Sequence, residues 1–314
     1  MSKKIIFSSI ALIAVSTAII FQSSVKGQEA SSTNGLSVSP PSFEISGNPG
    51  AIITNSVRLE NMKSVPVRLA VDRRNFTAIG EDGAIGLTEE QGSFSLASWI
   101  SVDPEDVVIP PKSTRTFTFN IKVPLNAEPG GHFGSLIFKT IPDSAALTGS
   151  GASVAQEIGA LILLRLAGDT KEEARVDSFK TAKSFYEFGP VVFENRVKNT
   201  GNVHIKPRGN ITITNLLGQK VATVEFENKN VLPGAIRKID GTWDTKWRIG
   251  QYTATAVLIY GANNTQLANV TTFIVFPYRV AIAVFAVLAV LFTFIYRSRR
   301  RLSLAWKILT SGKA

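Results

Sequence analysis

The chain has no cysteine and only two histidines among its 314 residues. Without cysteine it has no disulfide staples, and no lipid-bearing cysteine can follow an export signal. Stability must therefore come from ordinary apolar cores. A zinc site without thiolates would need carboxylates grouped around one imidazole, and no spacing around His132 or His204 suggests it. Asp103, Glu105 and Asp106 surround Pro104, but the Gly and closing Glu of a calcium loop are missing, so they read as a solvated turn. Gly149-Ser150-Gly151 lacks the third Gly and the following helix of a phosphate cradle. No Gly-x-Ser-x-Gly elbow is present, and no Ser is placed for activation by a His. The sequence assigns no catalytic residue, no metal ligand and no cofactor, and the expectation is a non-enzyme.

Acids are missing as well, but only at the two ends. Lys3 and Lys4 precede an apolar run from Ile5 to Phe21, with a cut expected after Gly27. That is the pattern of a secretory signal over residues 1–27. A second apolar run, Val280 to Tyr296, is followed by Arg297, Arg299, Arg300, Arg301, Lys307 and Lys313. About 17 residues is the short end of what crosses a bilayer, and Tyr278 and Arg279 can complete it at the interface. Residues 280–296 are thus the expected transmembrane helix and 297–314 a basic cytoplasmic tail. Arg297, Arg299, Arg300 and Arg301 are the topology determinants that put the intervening chain outside a single-pass anchor in the cell membrane. Net charge is +10, but +1 remains once the three lysines of 1–27 and the six basic groups of 280–314 are set aside. Basicity here marks topology, and no nucleic-acid partner is expected.

Between the ends, apolar residues recur every second position. Val65, Val67, Leu69 and Val71 form one face of a strand, and Phe117, Phe119, Ile121 and Val123 form another. Pro66 inside the first run predicts an edge strand or a bulge. Turns fall at Asn48-Pro49-Gly50, Glu81-Asp82-Gly83, Pro110-Pro111-Lys112 and Pro129-Gly130-Gly131. Two blocks echo one another: each has a strand ending in Asn (Asn61, Asn199), then a Pro turn (Pro110, Pro233), then a Gly before an aromatic hairpin strand (Phe133, Tyr252). The expected fold class is all-β, two tandem immunoglobulin-like antiparallel β-sandwich domains with an N-terminal signal helix and one C-terminal transmembrane helix. Residues 28–35 are a flexible lead-in, 36–168 the first sandwich with a flexible loop at 143–156, and 169–276 the second. The apolar run Ile158 to Ala167 reads as a buried strand beside Ser135–Ile141. The alternative makes 143–156 a linker and gives that strand to the second domain.

Aromatic residues supply the binding candidates. Trp99 reads as core within a strand, and His132 as a hairpin residue half open to solvent. Trp243 and Trp247 flank Asp244-Thr245-Lys246 near a turn and are the surface candidates, with packing at the turn as the alternative. Exposed together they would suit a sugar; otherwise an unpaired sheet edge can accept a protein strand. A stalk or self-associating surface assembly is the other use of such sandwiches. Asn75, Asn210, Asn263 and Asn269 begin N-glycosylation tripeptides, which matter only in a host that glycosylates exported Asn.

Several motifs stand in a distinctive order: Leu36-Ser37-Val38-Ser39-Pro40-Pro41, Ser95-Leu96-Ala97-Ser98-Trp99-Ile100, Pro129-Gly130-Gly131-His132-Phe133-Gly134, Lys198-Asn199-Thr200-Gly201-Asn202-Val203-His204, and Asn230-Val231-Leu232-Pro233-Gly234. With an anchor and basic tail behind them, the chain resembles the WxL-interacting surface proteins of Gram-positive bacteria, and more nearly tandem-domain surface proteins of candidate-phylum bacteria. The resemblance covers nearly the whole chain and is specific for architecture rather than activity. It implies a first domain (1–168) on peptidoglycan and a second (169–276) on a surface protein carrying Trp-x-Leu. This chain has no Trp-x-Leu of its own, consistent with the receiving side of such a pair. The expected partners are the membrane and either peptidoglycan or a surface protein.

Overall fold

Alternation of inward and outward residues builds strand after strand in the computed structural model, which describes residues 35–141 and 156–310, with side chains to Ser298. The signal at 1–27, nearly all of the lead-in, the loop expected at 143–156 except Gln156, and the side chains of Arg299, Arg300 and Arg301 lie outside the described residues. The first strands are β1 (Leu36–Ser39), β2 (Ser42–Gly47), β3 (Ile52–Asn61), β4 (Val67–Ile79), β5 (Ala84–Thr88), β6 (Ile100–Val102), β7 (Asp106–Ile109), β8 (Ser113–Lys122), β9 (Gly130–Thr140) and β10 (Glu157–Leu166). They form two sheets, β1-β3-β8-β6 and β2-β10-β9-β4-β5, with β7 also on β4. Leu59, Phe119 and Ile121 of one sheet meet Leu69, Phe138 and Ile162 of the other in a single core.

The second group is β11 (Ala174–Thr181), β12 (Phe185–Tyr186), β13 (Val191–Asn199), β14 (Arg208–Asn215), β15 (Lys220–Glu225), β16 (Ile236–Trp243), β17 (Gly250–Tyr260) and β18 (Thr265–Val275). Its sheets run β11-β13-β16 and β12-β18-β17-β14-β15, around Phe193, Ile211, Ile239 and Phe273. Strand for strand this is the order of the first group without β6 and β7. Each sandwich opens with a chain that changes sheets. β1 runs antiparallel to β3 and β2 parallel to β10; β11 runs antiparallel to β13 and β12 parallel to β18. The switch ties one open side of each sandwich shut.

The two echoing Asn residues do the same job. Asn61 ends β3, where its Nδ2 donates to the carbonyls of Val65 (2.9 Å) and Ile109 (3.1 Å) and its Oδ1 accepts the Lys63 N–H (2.9 Å). Asn199 ends β13 and repeats this with Val203 (2.8 Å), Val231 (2.9 Å) and Gly201 (2.9 Å). Both are fully buried, so each amide satisfies backbone groups that water cannot reach.

Three expectations change. The alternation attributed to Val65 starts at Val67; Val65 is exposed and Pro66 precedes β4 rather than interrupting it, so β4 pairs on both sides. Trp99 lies in a single 3-10 turn, Ala97–Trp99, half-buried against the core. The final helix α1 spans Tyr278–Thr310, so it starts before residue 280 and carries on through much of the expected tail. Its segment Tyr278–Ser298 is long and apolar enough to cross a membrane by length and composition. The run 158–167 becomes β10, paired antiparallel with β9 from Glu157↔Lys139 to Leu166↔Gly130. Gly168 falls between β10 and β11, and from Gly35 onward the chain is one compact unit.

Replacing Asn199 by Ala leaves the buried Val203 carbonyl without its donor, while the Val231 carbonyl keeps the Ile205 N–H and the Gly201 N–H keeps the Glu173 carbonyl. The expected loss is about 1–3 kcal/mol in urea unfolding of the full chain. A loss under about 1 kcal/mol would mean that the lock is redundant.

Candidate functional site

The outer face of the β10-β9-β4-β5 sheet is apolar where solvent would demand polarity. Ile162 and Leu164 of β10 point into the first core, yet Leu161 and Leu163 on its other face are also apolar. Leu163, Phe76 of β4 and Phe133 of β9 are buried together, with Leu232 of the second sandwich packed on them. Backbone contacts fix the approach. The Gly131 N–H donates to the Asn202 carbonyl (2.8 Å). Gly130 has φ +130°, and a Cβ there would stand 2.8 Å from the same oxygen. Glu44 accepts from Lys206 Nζ (2.8 Å) and Asn230 Nδ2 (2.8 Å), and these bonds, that from Lys206 first, hold its carboxyl below the usual range. The Glu81-Asp82-Gly83 turn joins β4 and β5 as expected, and it also docks on the second sandwich. Glu81 takes the guanidinium of Arg196, with Nε at 2.6 Å, and its carbonyl accepts the Lys238 N–H (2.8 Å). A cleft of about 210 Å³ remains between Phe76, Ile85, Leu161, Leu163, Leu232 and Arg237. It falls below the usual size of a small-molecule site and reads as packing space in the junction.

A larger opening lies on the second sandwich. In the first, β8 is covered on its far side by β6; among the described residues its counterpart β16 pairs only with β13. The Lys238 N–H, bound to Glu81, points away from β13. By the alternation of an antiparallel ladder, the N–H and C=O groups of Asp240 and Thr242 do too. They face a groove of about 560 Å³ between β16 and β15, bounded by Thr223, Glu225, Lys229 and Asp244. Asp240 lines it; its Oδ2 lies 3.7 Å from Lys238 Nζ, and its buried Oδ1 has no hydrogen-bond partner among the described residues. Free main-chain donors and acceptors beside an unsatisfied carboxylate oxygen are what an incoming extended peptide could pair with.

No protein-family model matches the sequence, and no curated protein does. Among solved structures it is similar to the class 5 fimbriae chaperone CfaA, at 14% identity and TM-score 0.41, over 76% of this chain and 99% of that one. It is similar to the E. coli chaperone DraB at 11% identity and TM-score 0.34, over 76% and 94%. A protein of unknown function from Porphyromonas gingivalis W83 gives 12% identity and TM-score 0.31, over 74% and 98%. Likenesses this distant concern the course of the chain and name no partner for it.

The two tryptophan candidates separate. Trp243 is 6% exposed, at an inward position of β16 against Tyr252 and Phe273, while Trp247 is 67% exposed beside Phe188. Four residues apart across a turn, they do not form a shared platform. Sequence reasoning missed the groove because its signal is a missing strand. His132 is buried rather than half open: its ring nitrogens lie 3.2 Å from the Ser95 carbonyl and 2.9 Å from that of Glu128, and its ring lies tilted against Trp99, centres 4.5 Å apart. Glu105 and Asp106 pair with Arg73 (2.9 Å) and Arg68 (3.4 Å) on the surface. Among the described residues no cluster of His and acids could hold a metal. Asn75 is buried and holds the backbone of Leu96, Ala97 and Glu90, which closes it to glycosylation. Arg297 is exposed on α1.

His204 packs edge-on to Phe133, with ring centres 5.8 Å apart, and its Nδ1 has no partner. Burial pushes its pKa down, against a weaker upward pull from Glu44. The unfolded chain therefore takes up a proton near pH 6.5 that the folded chain resists, so stability falls as pH drops below about 6.5. In melts between about pH 7.5 and 5.5, His204→Gln is expected to lose much of this slope. An unchanged slope would place the effect elsewhere.

Proposed function

We propose that this is a membrane-anchored, non-enzymatic binding protein that accepts an extended segment of a protein partner as an added strand on β16. The open β16 edge, with Asp240 and Thr242 facing the groove, carries this reading. The two sandwiches act as two tandem domains, and α1 is their anchor, supported by the span Tyr278–Ser298, whose apolar stretch has mean hydropathy 2.4 and is not buried in the protein. The apolar start at 1–27 and the basic residues from Arg297 onward favour an extracellular position for the sandwiches. Lys238 and Asp240 on the edge discourage indiscriminate pairing and leave selectivity to the partner's charges. Peptidoglycan binding rests on the resemblance alone, since Trp243 is buried and leaves Trp247 without its partner in a sugar platform. A strand from a second copy of the chain would give the self-associating assembly instead.

Thr242→Pro removes one outward donor and leaves the β13 ladder intact, a position where an edge tolerates proline. Full-length protein in nanodiscs is probed against an array of extended peptides. Peptides bound by the wild type are expected to lose roughly tenfold or more in affinity for the variant. Equal binding by both proteins overturns strand addition. Retention of both on insoluble peptidoglycan, with no peptide bound, moves the function to glycan.

A further inference from the structure

One end of the second sandwich carries exposed apolar side chains on the turns that follow β12, β14 and β16. Strand register collects them: Asn215 pairs with Tyr252, Val191 with Trp243, and Gly250 and Tyr186 each with Val275. The turns after β12, β14, β16 and β18 therefore share one end. Exposed on it are Phe188 (36%), Leu216 (77%), Leu217 (80%), Trp247 (67%) and Ile249 (67%). The β17–β18 hairpin at the opposite end turns through Gly261-Ala262-Asn263-Asn264, as a solvated tip should. Two hairpins of one sheet thus end in opposite chemistry, Leu-Leu at one pole and Asn-Asn at the other.

The apolar pole is the one from which α1 leaves. Only Phe276 and Pro277 separate β18 from the helix, and they are held: the Phe276 N–H donates to the Tyr186 carbonyl (2.8 Å) and the Tyr278 N–H to that of Phe276 (2.8 Å). Arg279 Nε lies 3.4 Å from Glu187 Oε2, and the rings of Phe185 and Tyr278 are 6.1 Å apart. So short a connection keeps the pole beside the start of the apolar helix. Lys183, Lys220, Lys246 and Arg248 at the same end are exposed, and Asp244 is the exposed acid among them. Aromatic and aliphatic tips ringed by cations match the polar–apolar boundary of a bilayer, where rings settle among headgroups and cations meet phosphates.

We infer that this end of the second sandwich docks into the headgroup layer of the bilayer, with Phe188, Leu216, Leu217, Trp247 and Ile249 inserted and the basic loop residues on lipid phosphates. The inference rests on α1 being a membrane span, and it adds a second, peripheral attachment that fixes the sandwich on the surface.

The absence of cysteine makes the test direct, because one introduced Cys takes one spin label. Leu217→Cys, Ile249→Cys, Leu288→Cys in the helix and Val65→Cys in the first sandwich are labelled in the full chain. Each is reconstituted in nanodiscs of phosphatidylcholine, with and without phosphatidylglycerol. Depth is read from relaxation by oxygen against a water-soluble nickel chelate. Labels at 217 and 249 are expected about 5–10 Å into the headgroup region, deeper with phosphatidylglycerol, with 288 in the hydrocarbon and 65 in water. Water-level values at 217 and 249 with 288 in lipid overturn the docking and leave the anchor standing. Water-level values at all of these positions remove the anchor as well. Dipolar broadening between labels at 217 or 249, with no lipid depth, assigns the patch to a second copy of the chain and overturns the inference.

Discussion

Burial of one sheet's outer face governs the arrangement of everything else. Phe76, Phe133 and Leu163 turn away from the first core and would face water if the sandwiches swung apart. Exposing each would cost about 1.5–3 kcal/mol, enough to make a hinge expensive. The ion pairs that cross the same junction, Glu44 with Lys206 and Glu81 with Arg196, are partly open to solvent. Pairs of that kind set orientation more than stability. The apolar contact holds the sandwiches together, and the polar contacts choose how they meet. One consequence is that the Glu81 carbonyl occupies the β16 edge at Lys238, so the first sandwich limits how much of that edge stays open.

The two sandwiches repeat one strand order and differ where it matters for binding. Between β5 and β8 the first inserts a 3-10 turn, β6 and β7, and these cover the side of the sandwich that the sheet switch leaves open. The second goes from β15 to β16 with no such insertion. Its open side keeps a groove, an unpaired edge and the unsatisfied Asp240 oxygen. The halves of the repeat thus diverge by one insertion, which closes an edge in the first and leaves it open in the second.

Strands, turns and the apolar helix were legible in the sequence because their signals are local: period two, Gly and Pro clusters, a long apolar run. The order shared by the two blocks was legible through Asn61 and Asn199, whose identical bonding explains why each strand ends in that residue. The exposure of Trp243 and Trp247 was not legible. It depends on the parity of β16, which is set by pairing with β13 far away in sequence. His132 was misread for a similar reason, since the carbonyl of Ser95 that meets it belongs to a distant loop. The junction did leave a trace, in the apolar residues on both faces of β10, but a strand buried between sheets and one buried between sandwiches look the same in one dimension. The turn Leu216-Leu217 was visible as sequence and passed unremarked, because turns are usually judged by their Gly and Asn.

The two-residue exit from β18 into α1 bears on reach. A flexible tether would let the sandwiches sample a wide hemisphere and catch partners at a distance. Phe276 and Pro277 instead hold the start of α1 against the end of the second sandwich, which is roughly 35 Å long at the rise of an eleven-residue strand. Asp240 and Thr242 sit in the half of β16 nearest that exit, so the groove stays low and turns only as the helix turns. On the proposed reading, with α1 in a bilayer, a partner meets the groove close to the membrane surface.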